Sequence, residues 1–348
     1  MKKKILALLM CATMVFGMTA CGGTGSGNGT EGGKEGDTLR IGMVTDIGGV
    51  NDGSFNQSSW EGLQRAEEEL GIEADYLESK TDADYVPNLE TLIDEEYDLI
   101  ISVGYKLADA TKEAANANPD QKFAIIDDAT CADLDNVTCL MFKQEQASYL
   151  VGYVAGLMTE KDNVGIVLGM ASENMHLFGY GYVAGVVDAN PDCKVQQINA
   201  NSFADPATGK TNANTMVTNG ADIIFHAAGG TGNGVIDGCT EAGIKAIGVD
   251  SDQAYLAPQT IITSAMKRVD NAVYECVKSL QEDKLEAGVM TYDITNGGVD
   301  IAPTTDLLPE EVITAVNGVK EKLLSGEIVV PASKDEFNAK YGDIYELD

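Results

Sequence analysis

Histidine and recognisable nucleophile motifs are nearly missing from this chain. Its 348 residues include only two histidines, His176 and His226, and no G-x-S-x-G sequence. Metal-dependent or Ser-His catalysis needs a set of partner residues that this sequence does not provide. Because His226 ends an apolar segment, we predict a buried, hydrogen-bonded ring at that position. The scarcity of histidine thus disfavours both kinds of catalysis.

The cysteines indicate neither a disulfide framework nor a zinc site. Cys11 and Cys21 lie near the N-terminus, and the other five are an odd number scattered singly, with no C-x-x-C spacing. We expect Cys139 and Cys239, which lie in apolar or helical runs, to be small core residues. A pairing of Cys131 with Cys139 is left open.

Basic residues are few as well. The sequence has 23 Lys and Arg against 55 Asp and Glu, a formal net charge of −32. A surface this acidic argues against nucleic acid and anionic lipid as partners and disfavours a strongly anionic ligand. Most of this charge is expected to serve solubility.

Two glycine-rich stretches approach nucleotide-binding patterns and fail to complete them. The segment ADPATGKT (204–211) ends like a phosphate-binding loop, but Ala204 stands where the first glycine belongs. We predict a helix start there, with Lys210 in solvent. The segment AAGGTGNG (227–234) resembles a dinucleotide loop, but Val235 replaces its last glycine. ATP binding is therefore rejected and a nicotinamide enzyme is disfavoured.

The N-terminus has the pattern of a lipoprotein signal. Three lysines (2–4), an apolar run (5–18) and the small residues before Cys21 predict a signal peptide over residues 1–20. Cleavage would leave a lipidated Cys21 and a net charge of −35. Residues 21–37, rich in Gly and without apolar residues after Cys21, predict a flexible tether that holds a domain at the extracytoplasmic membrane face.

Strands and helices alternate through the remaining chain. The pattern predicts parallel sheets with helices on both faces, in two successive series that begin near residues 39 and 163. About 310 residues exceed what one core usually covers, so two lobes are expected. The C-terminal ends of their strands should border one cleft.

The segment TDIGGVNDGSFNQ (45–57) is the most informative loop. It follows an apolar strand, and Ser54 with Gln57 predicts a capping box that opens a helix ending at Gly71. The loop carries carboxylates, carboxamides and Phe55 but no His, Cys or Lys. This inventory suits holding a neutral polar ring better than breaking a bond.

Further polar and aromatic residues stand at other strand ends. A single cleft is expected to collect the candidate ligand-binding residues Asp46, Phe55, Asn56, Asp127, Phe178, Phe203, Gly229, Gly230, Asp250 and Lys267. We predict no catalytic residue, metal site or cofactor among them. Each residue alone has a structural explanation as well, such as core packing for Phe203 or helix capping for Asp250.

The sequence resembles the basic membrane protein family of lipoproteins, the substrate-binding subunits of ABC transporters for purine nucleosides. The resemblance is carried by residues 45–57 and by FHAAGGTG (225–232), with support from FAIID (123–127), QASYLVG (146–152), GYGYVAG (179–185) and GVDSDQ (248–253). It extends over the whole predicted mature chain. One departure is His176-Leu177, where many relatives have Arg before the phenylalanine at 178.

The resemblance implies a type I periplasmic-binding-protein fold, with two doubly wound parallel-sheet lobes joined by a hinge. We expect residues 38–143 with about 268–298 in the first lobe, and residues 144–267 with about 299–348 in the second. The implied partners are a purine nucleoside, the ABC permease and ATPase subunits, and the membrane through the lipid. The implied protein is a monomer and not an enzyme.

The resemblance also implies residue roles. Phe55 would stack on one face of the base, with Phe203, or alternatively Phe178, on the other. Asp46 and Asn56 would bond the base edge. Ribose hydroxyls would meet Asp127, Asp250 and Lys267, with the Gly229-Gly230 backbone nearby.

Three alternatives stay open at this point. The same fold could bind a sugar or another small polar molecule, or act as a surface sensor or adhesin. An enzyme acting on nucleosides, with Asp46 as acid and Asp127 as stabiliser, is disfavoured because no nucleophile or metal set accompanies them.

Overall fold

The computed structural model describes residues 38–347. The predicted signal peptide (1–20), the lipidated Cys21 and the tether (21–37) lie outside the described residues. Within 38–347, no helix is long and apolar enough to cross a membrane.

The first sheet has six strands in the order β11-β5-β4-β3-β1-β2. All its pairs are parallel, for example Ile41 of β1 with Ala74 of β2 and with Leu99 of β3. The central strands are buried on both faces, which explains their unbroken apolar sequences. The strands are β1 (Arg40–Val44), β2 (Glu73–Leu77), β3 (Leu99–Ser102), β4 (Lys122–Ile126), β5 (Val137–Phe142) and β11 (Gly288–Tyr292).

The second sheet repeats this plan in the order β12-β10-β9-β8-β6-β7. Its strands are β6 (Asn163–Leu168), β7 (Lys194–Asn199), β8 (Ile223–Ala227), β9 (Lys245–Asp250), β10 (Ile261–Lys267) and β12 (Val299–Ile301). One pair departs from the parallel prediction, because β12 runs antiparallel to β10. Strand β10 leads out of this sheet, whereas β12 brings the chain back into it, so the two run in opposite directions.

Ten α-helices cover the two sheets within the described chain. They are α1 (Phe55–Leu70), α2 (Tyr85–Asp94), α3 (Ala108–Ala117), α4 (Gln144–Met158), α5 (Glu173–Ala189), α6 (Pro206–Thr218), α7 (Gly230–Ala242), α8 (Val269–Gln281), α9 (Glu310–Leu324) and α10 (Lys334–Tyr341). Helix α1 ends at Gly71, whose left-handed φ of 71° confirms the predicted C-cap.

The chain passes between the sheets three times. It leaves the first sheet after β5, returns after β10 and leaves again after β11. The two α/β lobes are therefore joined by three connecting segments, as the resemblance implied. The residue boundaries given above for the lobes stay a prediction.

The five cysteines of the described chain are buried free thiols, so the open pairing of Cys131 with Cys139 is not formed. His226 is fully buried against Gly232, and burial lowers its pKa to about 4. The Gln253 side chain, a polar group beside the ring, opposes this lowering. The predicted burial is confirmed, and the predicted hydrogen bond stays a prediction.

Candidate functional site: a cleft between the lobes

Asp52 organises the loop that follows β1. Its carboxylate accepts hydrogen bonds from the backbone N–H groups of Ser54 (2.8 Å), Asn56 (3.0 Å) and Gln57 (3.1 Å). The predicted capping box is wrong, since the Ser54 side chain makes no capping bond to α1. A carboxylate two residues before the N-cap reaches these donors instead and releases the Ser54 hydroxyl for another partner.

Asn56 is held between two carboxylates. Its Nδ2 donates to Asp46 Oδ1 at 2.8 Å and to Asp52 Oδ2 at 3.0 Å. Carboxylates accept hydrogen bonds, so the amide orientation is fixed by this pair. The other amide atom, Oδ1, is buried with no hydrogen-bond partner in the described chain. Asn56 therefore offers an acceptor to whatever occupies the cleft.

Burial sets the electrostatics of this loop. It raises the pKa values of Asp46 and Asp52, while the hydrogen bonds from the Gly48 N–H, the Asn56 side chain and the backbone N–H groups oppose that rise. Both side chains are less than a tenth exposed. An anionic ligand here would add to the repulsion between these carboxylates.

Asp127 follows β4 and forms an ion pair with Lys267, the last residue of β10. The pair joins the two lobes, and both side chains are almost completely buried. Asp127 has a φ of 68°, an uncommon value for a non-glycine residue. Its second oxygen, Oδ1, is buried without a partner in residues 38–347. The charge of Asp127 is thus neutralised while one acceptor stays free.

Asp250 ends β9 and receives the hydroxyl hydrogen of Ser54 from the opposite lobe. Burial raises the pKa of Asp250 to about 6, and Lys267 and the Ser54 hydroxyl oppose that rise. Its φ is 64°. Ser54 is the N-cap residue of α1 by position, but its hydroxyl contacts the opposite lobe instead of capping the helix.

Two backbone carbonyls of the first loop bind the second lobe. Asn233 Nδ2 donates to Asp52 O at 2.9 Å, and Gln253 Nε2 donates to Gly53 O at 2.8 Å. Gln253 is fully buried, and its Oε1 accepts from Val249 N at 2.9 Å. With the Asp127–Lys267 and Ser54–Asp250 contacts, these bonds hold the lobes together in an arrangement that we call closed.

Aromatic rings flank Lys267. Its Nζ lies 5.0 Å from the Phe55 ring centre, 5.1 Å from that of Phe142 and 5.6 Å from that of Phe178, within cation–π range. Phe203 lies against Gly169, where a Cβ would stand 2.3 Å from its ring, so only glycine leaves the ring its place.

One cavity between the lobes brings the candidates together. Nine of the ten predicted site residues line it, and Gly230 does not. Gly230 is the first residue of α7, and its role in ligand binding stays a prediction. The nine are Asp46, Phe55, Asn56, Asp127, Phe178, Phe203, Gly229, Asp250 and Lys267.

Sequence reasoning missed part of the cavity wall. The additional lining residues are Gly48, Asp52, Gly104, Tyr105, Lys106, Asn174, Met175, Ala227, Ala228 and Val249. Asp52 was visible in the loop as a carboxylate, whereas Asn174 stands in a helix start with no recognisable motif. Gly104 has a φ of 103° and lies beside Phe55. From the sequence alone, a glycine at this position indicates only a possible turn.

The glycine-rich stretches that approached nucleotide patterns have structural roles. Asp205 caps α6 by accepting from Thr208 N at 3.0 Å, and Lys210 pairs with Glu241 at 2.6 Å. Gly229 has a φ of 53° and leads into α7. The rejection of a phosphate loop agrees with this geometry, although Lys210 is ion-paired and only partly in solvent.

A family model described as "ABC transporter substrate-binding protein PnrA-like" matches residues 40–334. A CD4+ T-cell-stimulating antigen of Listeria innocua is 38% identical over 95% of this chain and 99% of its own length. The ABC transporter nucleoside-binding protein BmpA of Lactococcus lactis is 34% identical over 95% of this chain and all of its own length.

Solved structures support the fold. An ABC transporter solute-binding protein from Aeropyrum pernix superposes with a TM-score of 0.79 at 28% identity, covering 88% of this chain and 98% of that one. An arabinose-binding protein from Geobacillus stearothermophilus gives 0.59 at 16% identity, covering 80% and 99%. The second likeness shows only a shared fold. Together these findings confirm the type I periplasmic-binding fold. Substrate-binding proteins are not enzymes, so that expectation is also confirmed.

Proposed function

The chain belongs to the PnrA-like family of ABC transporter substrate-binding proteins, and we propose that it binds a purine nucleoside between its lobes for delivery to the permease. The observation that carries the proposal is the chemistry of the cavity wall. Two buried acceptors, Asn56 Oδ1 and Asp127 Oδ1, lack partners in residues 38–347 and stand on a wall that also carries phenylalanine rings. A nucleoside supplies N–H and O–H donors together with a flat apolar ring.

The base is assigned to the aromatic side of the cavity. Phe55 covers one face, and Phe203, or alternatively Phe178, covers the other. Stacking of a base on an aromatic ring contributes about 1–3 kcal/mol. The edge of the base lies toward Asp46 and Asn56, whose available oxygen atoms accept hydrogen bonds.

The ribose is assigned to the buried ion pair. Asp127 and Asp250 accept hydroxyl hydrogens, and Lys267 donates to a ribose oxygen. The Gly229 backbone lies nearby. Because the wall carries four buried carboxylates, a neutral nucleoside fits better than a nucleotide with its phosphate charge.

The name of the Lactococcus lactis relative, a nucleoside-binding protein, supports the same ligand class. Such a protein acts by closing two lobes around the ligand, and no bond of the ligand changes. We propose that it acts as a monomer.

Lipid attachment at Cys21 is part of the proposal and rests on the sequence alone. We expect the full-length protein to incorporate labelled palmitate in a bacterial host and to fractionate with the membrane. The Cys21→Ala variant should lose both properties, and membrane association of an unlabelled wild-type chain would point to a different anchor.

Calorimetric titration of residues 38–348 tests the ligand class. Guanosine, inosine, adenosine, free bases, ribose, arabinose and galactose are added separately, and the fluorescence of Trp60, one turn beyond Phe55, is followed in parallel. Binding of nucleosides without binding of ribose supports the proposal. Binding of a sugar alone would establish the sugar-binding alternative. Silence with every compound would leave the sensor role, and product formation would indicate an enzyme.

A further inference from the structure

Gln144 and Asn174 form a buried amide pair beside the cavity. Gln144 is the first residue of α4 and is fully buried. Asn174 stands in the first turn of α5 and is one of the residues that line the cavity. Gln144 Nε2 donates to the Asn174 backbone O at 2.9 Å and to Asn174 Oδ1 at 2.7 Å. The pair thus connects the start of the second lobe's first helix to the cavity wall.

The backbone carbonyl decides the orientation of both amides. A carbonyl oxygen only accepts, so the Gln144 atom that faces it must be the NH₂ group. That NH₂ group also faces the Asn174 side chain, so the Asn174 atom that it meets must be the oxygen. Rotating either amide by half a turn would bring two like groups into contact. Nδ2 of Asn174 is consequently the atom directed away from Gln144.

Asn174 Nδ2 is buried and has no hydrogen-bond partner in the part of the chain described. Leaving a buried donor without a partner is energetically costly, so such groups normally have one in the working protein. We propose that Asn174 is a further ligand-binding residue, whose amide donates to an uncharged acceptor atom of the nucleoside. This inference rests on the function proposed above.

The wall then has a defined hydrogen-bonding pattern. Among its lining residues, three buried side-chain atoms lack partners in residues 38–347: the acceptors Asn56 Oδ1 and Asp127 Oδ1 and the donor Asn174 Nδ2. A ligand that satisfies all three must donate at two places and accept at a third. A nucleoside meets this requirement, since its base and its ribose both carry neutral acceptors. Gln144 is a positioning residue, because it holds the amide and does not line the cavity.

The test compares Asn174→Ala, Asn174→Asp and a control, Asn199→Ala, by calorimetry with guanosine. Asn199 is half-buried and also has an unpartnered amide atom, but it lies outside the cavity. We expect Asn174→Ala to weaken binding about tenfold. Asn174→Asp should weaken it further, because an acceptor replaces the donor. Asn199→Ala should bind as the wild type does.

Analogues that each lack one acceptor then identify the partner atom. The set consists of 7-deazaguanosine, 3-deazaguanosine, 2-aminopurine riboside and 5′-deoxyguanosine, which remove base or ribose acceptors in turn. The analogue without the matching acceptor should bind wild type and Asn174→Ala equally, as a double-mutant cycle requires. The matching position says whether the acceptor belongs to the base or to the ribose.

Three results would overturn the assignment. Unchanged guanosine affinity in both Asn174 variants excludes the contact. Equal losses between wild type and variant for every analogue exclude a direct bond to N7, N3, O6 or the 5′-hydroxyl. Failure of the wild type to bind any nucleoside overturns the proposed function together with this inference, so the two failures are told apart by the wild-type titration. Gln144→Met serves as the second variant: it removes the anchor and should weaken guanosine binding less than Asn174→Asp does.

Discussion

Each lobe has an aspartate at the end of the equivalent strand of its sheet, but the two aspartates have different hydrogen-bonding partners. Asp127 follows β4 in the first sheet, and Asp250 ends β9, the equivalent strand of the second. Both are buried and both have a left-handed φ, of 68° and 64°. Asp127 is paired with a lysine, whereas Asp250 meets a serine hydroxyl.

In each case the partner comes from the opposite lobe. Lys267 of the second lobe neutralises Asp127, and Ser54 of the first lobe donates to Asp250. Each lobe therefore carries an aspartate that receives its partner from the other lobe in the closed arrangement. The two contacts differ in charge. Asp127 forms an ion pair, whereas Asp250 accepts from a neutral hydroxyl and has no cation of its own. Closure and ligand binding consequently use the same side chains.

Removing Lys267 breaks the first of these contacts and should have the largest effect. Lys267→Met leaves Asp127 buried without its cation, a change that costs about 3–5 kcal/mol in comparable pairs. We expect guanosine affinity to fall at least about a hundredfold, measured by calorimetry. The control Lys320→Met breaks the partly exposed Lys320–Asp300 pair and should change affinity little. Unchanged binding in Lys267→Met would show that the buried pair does not contribute to the ligand site.

The Phe55→Ala variant tests whether the base stacks on the Phe55 ring of the first lobe. We expect the loss to exceed tenfold in affinity, because stacking is worth about 1–3 kcal/mol per base. The parallel variants Phe203→Ala and Phe178→Ala should differ, with the larger loss at the ring that covers the other face. If Phe55→Ala binds as the wild type does, the base is not stacked on the first lobe.

The pH dependence of closure tests the contribution of Asp250. Burial raises the pKa of Asp250 to about 6 in the closed form, whereas a solvent-exposed aspartate titrates near 3.8. Between pH 3.8 and pH 6 the closed form therefore binds more protons at Asp250 than the open form does. The stability that this proton gives to the closed form, relative to the open form, is lost as the pH rises through about 6. The equilibrium constant between the closed and open forms changes by at most about tenfold per pH unit.

Small-angle scattering of the ligand-free protein measures this dependence. The radius of gyration of the wild type should increase between pH 4.5 and pH 6.5, and Asp250→Asn should remove most of the increase. The same increase in both proteins would assign the pH dependence to other buried carboxyls, such as Asp46, Asp52 or Glu145, whose pKa values burial also raises.

Gln253→Met should have the smallest effect of the series. It removes the hydrogen bond to Gly53 O and the one from Val249 N while roughly keeping the side-chain volume, and we expect guanosine affinity to fall about fivefold. Gln281 also donates to a backbone carbonyl, that of Leu70, but away from the cleft, and Gln281→Met is the matched control. Equal affinities in the two variants would mean that the bond between Gln253 and Gly53 does not stabilise the liganded form.

Much of the fold could be predicted because apolar runs and helix-start residues were clear. The apolar runs at 122–126 and 163–168 form β4 and β6, and the helix start predicted within 204–211 is Pro206, the first residue of α6. Strands β11 and β12 have weak sequence patterns, since one is half exposed and the other has three residues. Helix α10 has no apolar periodicity, because Phe337 is its only buried residue.

The site was predictable where polar residues stand at strand ends. Asp46, Asp127 and Asp250 are of this kind, because the carboxyl ends of parallel strands face the cleft. The bond between Gln253 and Gly53 joins residues 200 positions apart, and the orientation of Asn174 depends on Gln144. Neither leaves a local sequence pattern, so both needed the folded chain.

Competition between ligand classes tests the central claim most directly. The purified domain is incubated with an equimolar mixture of guanosine, inosine, adenosine, guanine, ribose, arabinose and galactose, and native mass spectrometry records the bound mass. The account predicts a single adduct with the mass of a purine nucleoside, and its loss in Phe55→Ala. An adduct with the mass of a pentose or a hexose would contradict it.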